Sequence, residues 1–249
     1  MNLQHQSRFD YNCQTMQFFP EATEALIFDV DGTLYDQVKL RRRMFLELLC
    51  SAVKTHRFSR DIKVLHAFRK NREMLSKDNH DIYFFENRQY SVVAHDLGMS
   101  IEDVQNIIGD WIFKKPLNYL GAYIYPGVKQ LFPLITYKKK RIGIFSDYPV
   151  QDKLRALGLY ADAMVCSTDR DVDRFKPHPK GLLFTAEMLG VPVKNCFFIG
   201  DRDDKDGECA RRAGMPYFIL PRHRLSVAAW YQEAILQMNQ VDGELFNRC

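Results

Sequence analysis

The sequence has no CxxC pair, no G-x-G-x-x-G after its first apolar run, no stretch long enough to cross a bilayer and no strong excess of either charge. Each absence removes a class of function. Six cysteines (Cys13, Cys50, Cys166, Cys196, Cys209 and Cys249) are scattered over 249 residues, unlike the dense spacing of a small disulfide scaffold. They read as reduced thiols, and a cytoplasmic protein is expected. Lys and Arg number 35 against 31 Asp and Glu, a net +4, too mild for a nucleic-acid surface or an anionic membrane. The stretch Met1 to Phe19 is polar and lacks a signal-peptide core, and nothing approaches the roughly 20 apolar residues of a membrane helix. Dinucleotide binding is disfavoured for want of the glycine fingerprint. With 46% hydrophobic and 27% charged residues, what remains is an ordinary globular chain, long enough for one core carrying an inserted subdomain.

What is present is a rhythm. Ala25-Leu26-Ile27-Phe28 is a short apolar run of the kind that makes a fully buried strand, and Asp29-Val30-Asp31-Gly32-Thr33-Leu34 follows at once. From about Gln37 to Tyr123 only helical spacing recurs. Leu40, Met44, Leu48 and Ala52 mark a first stripe; further helices are expected from about Ile62 to Leu75, over Gln89 to Leu97, and from a Ser100 cap to about Phe113. After Tyr125-Pro126-Gly127, helices and strands alternate. Helices are expected over 128–137, 150–157, 179–189, 206–213 and about 226–238, and strands over 142–145, 163–166, 196–199 and 217–220. Such alternation predicts an α/β fold, a Rossmann-like parallel sheet with helices on both faces, interrupted after its first strand by an α-helical cap subdomain. The expected parts are a tail over 1–23, a core over 24–36 and 124–249, and a cap over 37–123. The run Lys138-Lys139-Lys140-Arg141 suits a helix C-terminus better than a binding patch.

In open α/β sheets, ligands bind beyond the carboxyl ends of the strands. Asp29 and Asp31 stand after the first strand, Ser146 and Asp147 after the second, and Lys176-Pro177-His178-Pro179 beyond the third. Gly200-Asp201 through Asp206 follow the fourth. Asp29 and Asp31 share a face of an extended segment, and Gly32 lets the backbone turn and bring N–H groups to a ligand. Singly, each has a plainer reading: an acidic turn, a helix N-cap at Ser146, a solvated loop lysine at Lys176, a turn residue at His178, a surface charge network at Arg202, Asp203 and Lys205. Together and in this order they point to one site.

These four motifs resemble those of the haloacid dehalogenase-like (HAD) hydrolase superfamily, from Ala25 to about Leu220, and the helical insertion is similar to the cap of its phosphoglycolate phosphatase-like branch. The resemblance implies a Mg²⁺-dependent phosphatase that hydrolyses a small phosphomonoester through an aspartyl-phosphate. The residue types suit that chemistry. Asp29 is the expected nucleophile, and Asp31 the general acid and then base. Ser146 and Lys176 would serve the phosphoryl oxygens, with backbone N–H groups around Gly32 and Asp147. Mg²⁺ prefers oxygen ligands. By resemblance they are the Asp29 carboxylate, the Asp31 carbonyl and Asp201, supported from behind by Asp206 or Asp204. Arg41, Arg42, Tyr83 and Arg88 are candidates for leaving-group contacts, besides their plainer roles as a basic helix face or cap core. Tyr35 is expected at the hinge or pocket rim. The expected partner is a small phosphorylated metabolite, not nucleic acid or membrane, bound by a monomer or homodimer. The alternatives are a phosphomutase of the same superfamily and a non-catalytic phosphate-binding regulatory protein.

Overall fold

The computed structural model describes residues 19–55, 58–77 and 85–246. Strand β1 (Ala25–Phe28) is wholly buried. The chain then leaves the sheet for α1 (Gln37–Thr55), α2 (Phe58–Lys77), α3 (Phe85–Leu97), α4 (Ile101–Ile108) and α5 (Leu117–Tyr123). It returns as α6 (Val128–Tyr137), β2 (Arg141–Ser146), α7 (Gln151–Leu157), β3 (Ala163–Cys166), α8 (Lys180–Leu189) and β4 (Cys196–Gly200). The final elements are α9 (Glu208–Ala213), β5 (Tyr217–Ile219) and α10 (Arg224–Phe246).

The five strands are parallel in the order β3-β2-β1-β4-β5, so β1 is central and its run of apolar residues serves two faces. Leu26 and Phe28 pack with α6, α7 and α10, through Phe132, Leu154 and Tyr231 among others. Ala25 and Ile27 point the opposite way, against Leu182 and Ala186 of α8 and Ala210 of α9. Alternation with a period of two, buried on both sides, is why this strand carries no polar residue. Residues 19–23, expected to belong to a tail, dock on the core: Phe19 is buried and meets the edges of Phe197 and Trp230 at 5.4 and 6.3 Å.

The segment between β1 and α6 builds an apolar cluster of its own, centred on Phe68, Val93, Ile108 and Trp111. Ser100 caps α4, its hydroxyl accepting the Asp103 N–H at 3.0 Å. The helix does not run on to Phe113. A π-helical turn over Gly109–Lys114 follows it, and the wider turn accompanies the burial of Trp111, whose indole N–H donates to the buried Asp61 carboxylate at 3.2 Å. Entry to and exit from the insertion are joined: the Asp36 N–H bonds the Tyr123 carbonyl at 2.9 Å, and the Tyr125 N–H the Leu34 carbonyl at 3.0 Å. Among the described residues no helix is long and apolar enough to cross a membrane.

Candidate active site

β1 hands the chain directly to Asp29, which is 5% exposed. The Thr33 hydroxyl donates to its Oδ2 at 3.1 Å and the Lys176 ammonium to its Oδ1 at 2.6 Å. Lys176 comes from the loop beyond β3 and is also buried; it donates to Asp206 Oδ1 at 2.6 Å and to the Phe145 carbonyl at 3.4 Å. Its three protons thus have three acceptors. The other Asp206 oxygen accepts the backbone N–H groups of Asp201 and Arg202 at 3.2 and 3.0 Å. Asp204 instead faces solvent and pairs with Arg202 at 2.6 Å, so Asp206 is the one of the two that lies against the site. A π-helical turn over Asp203–Gly207 sets this phase, and α9 begins only at Glu208. Gly32 sits at φ 101°, and a Cβ there would stand 2.2 Å from Asp201 Oδ2. Glycine is what lets the turn after Asp31 close against Asp201.

Carboxylate oxygens of Asp29, Asp201 and Asp206 lie within 4.8 Å of one another, and one ammonium does not balance three carboxylates. Burial pushes the Asp29 carboxyl well above its ordinary range; Lys176 opposes this, while Asp206, Asp201 and Asp31 add to it. Asp201 is pushed up to about 7 by burial and by Asp206. Burial acts downward on Lys176, but Asp206 and Asp29 outweigh it and hold the ammonium firmly protonated. A surplus of buried negative charge on oxygen donors fits a hard divalent cation.

A stability profile follows. The folded protein keeps a proton on Asp201 that the unfolded chain gives up near 3.8, so stability of metal-free protein should fall as pH rises from there through about 7. A divalent cation binds the ionised form and should flatten that slope. Thermal melts across this range, with and without chelator, read it directly; a metal-free melting temperature that does not decline would refute the charge surplus.

Asp31 has a different environment. Lys153 Nζ donates to both of its oxygens at 2.6 Å, and the Tyr35 hydroxyl donates to Oδ1. Burial acts upward on this carboxyl, but Lys153 and Tyr35 outweigh it and hold it below the usual range. Tyr35, expected at the hinge or pocket rim, bridges to Ile124 where the insertion rejoins the core; it is buried, and burial together with Asp31 keeps its hydroxyl protonated as a donor. Sequence reasoning missed Lys153. A signal existed: it stands four residues before Leu157 and beside Leu154, on the inward stripe of α7.

Ser146 closes β2, is buried, and accepts the Tyr148 N–H at 3.3 Å. It does not cap α7, which begins later at Gln151. The Asp147 carboxylate accepts the Lys176 backbone N–H at 3.1 Å and the Ser167 hydroxyl at 2.6 Å, bracing the loops after β2 and β3 against each other. Burial acts upward on it, but Lys176, Lys205 and Arg72 hold it below its ordinary value. Arg202 and Lys205, expected in a local network, reach across to Glu73 on α2 at 3.0 and 3.1 Å.

The insertion and the core line a half-open cavity of about 70 Å³ beside Asp31, Tyr35 and Lys153. Arg41 and Arg69 line it together with Leu40, Met44 and Leu120. Arg42 and Arg88 are exposed and do not line this cavity, so the structure does not bring them to the site; Tyr83 lies outside the described residues. Arg43, next on α1, is engaged elsewhere, with Glu47 at 2.7 Å and over the Tyr119 ring at 4.7 Å.

A family model for haloacid dehalogenase-like hydrolases matches residues 23–214. The phosphoglycolate phosphatase of Escherichia coli is 30% identical over 99 residues, which span 39% of this chain and only 39% of that protein. The glyceraldehyde 3-phosphate phosphatase of Methanopyrus kandleri is 25% identical over 201 residues, 77% of this chain and 81% of that one. Among solved structures, the HAD-hydrolase YfnB of Bacillus subtilis, crystallised bound to magnesium, superposes with a TM-score of 0.55 at 14% identity, covering 80% of this chain and 88% of that one. A haloacid dehalogenase of Pseudomonas syringae gives 0.54 at 22%, covering 79% and 86%. The two structures share the fold.

Proposed function

Since the chain belongs to the haloacid dehalogenase-like hydrolase family, we propose that it is a Mg²⁺-dependent phosphatase that hydrolyses a small phosphomonoester through a phosphoryl group carried on Asp29. The observation that supports this best is the convergence on Asp29 of Lys176, Asp201 and Asp206 from two other strand ends. A carboxylate oxygen of Asp29 attacks phosphorus, the bond to the leaving oxygen breaks, and Asp31, which enters this step as the neutral carboxyl, gives that oxygen its proton and is left as the carboxylate. Water then attacks the acyl phosphate, Asp31 takes its proton, and inorganic phosphate and the free carboxylate result. Lys153 and Tyr35 fix both oxygens of Asp31 and favour its ionised form, which suits the base half of the cycle.

Ser146 and Lys176 receive the phosphoryl oxygens, together with N–H groups of Gly32 and Asp147, and stabilise charge as it develops there. Mg²⁺ would be held by the Asp29 carboxylate, the Asp31 carbonyl and Asp201, with Asp206 behind them, and would offset the charge surplus that repels a phosphate dianion. Arg41 and Arg69, at the cavity lined by Asp31, favour a leaving group with its own negative charge. The reading is of a phosphorylated metabolite handled in the cytoplasm.

Release of inorganic phosphate from p-nitrophenyl phosphate with Mg²⁺ tests the reading. Chelation with EDTA should bring the rate to background and added Mg²⁺ should restore it. Turnover that survives chelation refutes the metal's role, and phosphate handed back to a sugar instead of released would mark a phosphomutase.

A further inference from the structure

Arg72, on α2 of the insertion, is 6% exposed, and it meets the phosphoryl site through the backbone of Asp147. Its guanidinium lies between two rings, 4.1 Å from the centre of Tyr148 and 4.2 Å from that of Phe175. These rings belong to the loops after β2 and β3. One guanidinium nitrogen donates to the Asp147 backbone carbonyl and another to the Gln89 side chain. Gln89 is itself held by Glu86 at 2.8 Å, so the insertion fixes Arg72 from behind. The core contacts adjoin the chemistry: Asp147 and Tyr148 follow Ser146, and Phe175 precedes Lys176.

The next residue, Glu73, pairs with Arg202 and Lys205 at 3.0 and 3.1 Å, in the turn that carries Asp201 and Asp206. Two adjacent residues of one helix therefore hold the loops after β2, β3 and β4 together. A planar guanidinium can stack on two rings and donate in its own plane at once, which a lysine cannot. A buried arginine left without such partners would be costly.

We infer that Arg72 is a positioning residue for phosphoryl transfer. Its docking between Tyr148 and Phe175 holds Ser146 and Lys176 in register, so that the phosphoryl site is complete only with the helical insertion seated on the core. The inference rests on the phosphatase reading and adds to it a residue that acts from outside the motifs. Small misplacements of oriented groups lower rates steeply, and loss of one charge-assisted bond weakens an arrangement by roughly 1.5–3 kcal/mol, about tenfold to hundredfold in rate.

Arg72→Ala should lower kcat for p-nitrophenyl phosphate by that tenfold to hundredfold, and by the same factor for an aliphatic phosphate, because the damage lies at the phosphoryl site. Guanidinium chloride at low millimolar concentration should restore part of the variant's kcat and leave wild type unmoved, by filling the slot between the two rings. Arg72→Lys keeps charge and bulk and should fold, yet stay about tenfold slow. Wild-type kcat in either variant, or a loss in Arg72→Ala that guanidinium does not restore, overturns the inference. If wild type releases phosphate from no ester, the phosphatase reading fails by itself. Inorganic phosphate binding with Mg²⁺, measured by calorimetry, then decides: weaker binding in Arg72→Lys sustains the positioning role, and equal affinity rejects it.

Discussion

Asp29→Asn should abolish phosphate release while the protein stays folded. The amide matches the carboxylate in shape, but its oxygen is neutral and does not attack phosphorus. Removal of a covalent nucleophile costs on the order of 10⁴-fold or more in kcat. The fold has reason to tolerate the change. Burial and three neighbouring carboxylates already make the charge at Asp29 unfavourable, so its removal relieves repulsion. The amide oxygen can accept from Lys176, and the amide nitrogen can face the Thr33 hydroxyl, which rotates to accept. Lys176 keeps Asp206 and the Phe145 carbonyl. The melting temperature without metal should therefore hold or rise, as calorimetry will record. Undiminished turnover of p-nitrophenyl phosphate by this variant would sink the aspartyl-phosphate mechanism.

Lys176→Met should damage both stability and catalysis. The methionine fits the same channel between the Phe145 and Phe198 rings, which lie 5.2 and 5.6 Å from the ammonium. It leaves Asp29 and Asp206 buried with no counter-charge. Breaking a buried pair in this way costs about 3–5 kcal/mol, a fall in melting temperature on the order of 10 °C for a chain of this size. The loss should shrink at lower pH. Without the ammonium that opposes it, the raised Asp29 pKa climbs further, and protonating that carboxyl then favours the folded form. Mg²⁺ should recover part of it at neutral pH. Loss of a donor to the transferring phosphoryl oxygens adds a fall in kcat of about 10²–10³-fold. An unchanged neutral-pH melt would show that Lys176 is not the counter-ion that the geometry makes it.

The contrast between these two residues and Arg72 marks what was legible in one dimension. Asp29, Ser146, Lys176 and Asp201 follow recognisable apolar strands, and chemistry at a strand end is announced by the residue type that replaces the apolar run. A buried strand such as Ala25–Phe28 has one composition and one period, so its position and its burial on both faces follow from local pattern, whereas its place in the middle of the sheet came only with the structure. The helical insertion was legible for the same reason: from Leu40 onward the period changes and no strand pattern interrupts it.

Other features had no local signature. Lys153 meets Asp31 across 122 positions and Arg72 meets Asp147 across 75; helical spacing turns Lys153 inward, but nothing local names the partner of either residue. Asp204 and Asp206 looked alike in a run of charges; a single π-helical turn sent one to solvent and the other to Lys176. Arg41 and Arg42 were equal candidates on one basic stretch, and only the seating of α1 on the core placed Arg41 at the cavity.

The sequence by itself determined the sheet, the interruption after its first strand and the residues that stand at the strand ends, because strand burial and turn chemistry are local properties. Tertiary structure alone decided which charges neutralise one another, how Asp31 is held, and how a helix of the insertion braces the phosphoryl loops. Those outcomes depend on distances between remote segments, where desolvation magnifies each pairing and a shift of one residue in helical phase exchanges a solvated carboxylate for a buried one.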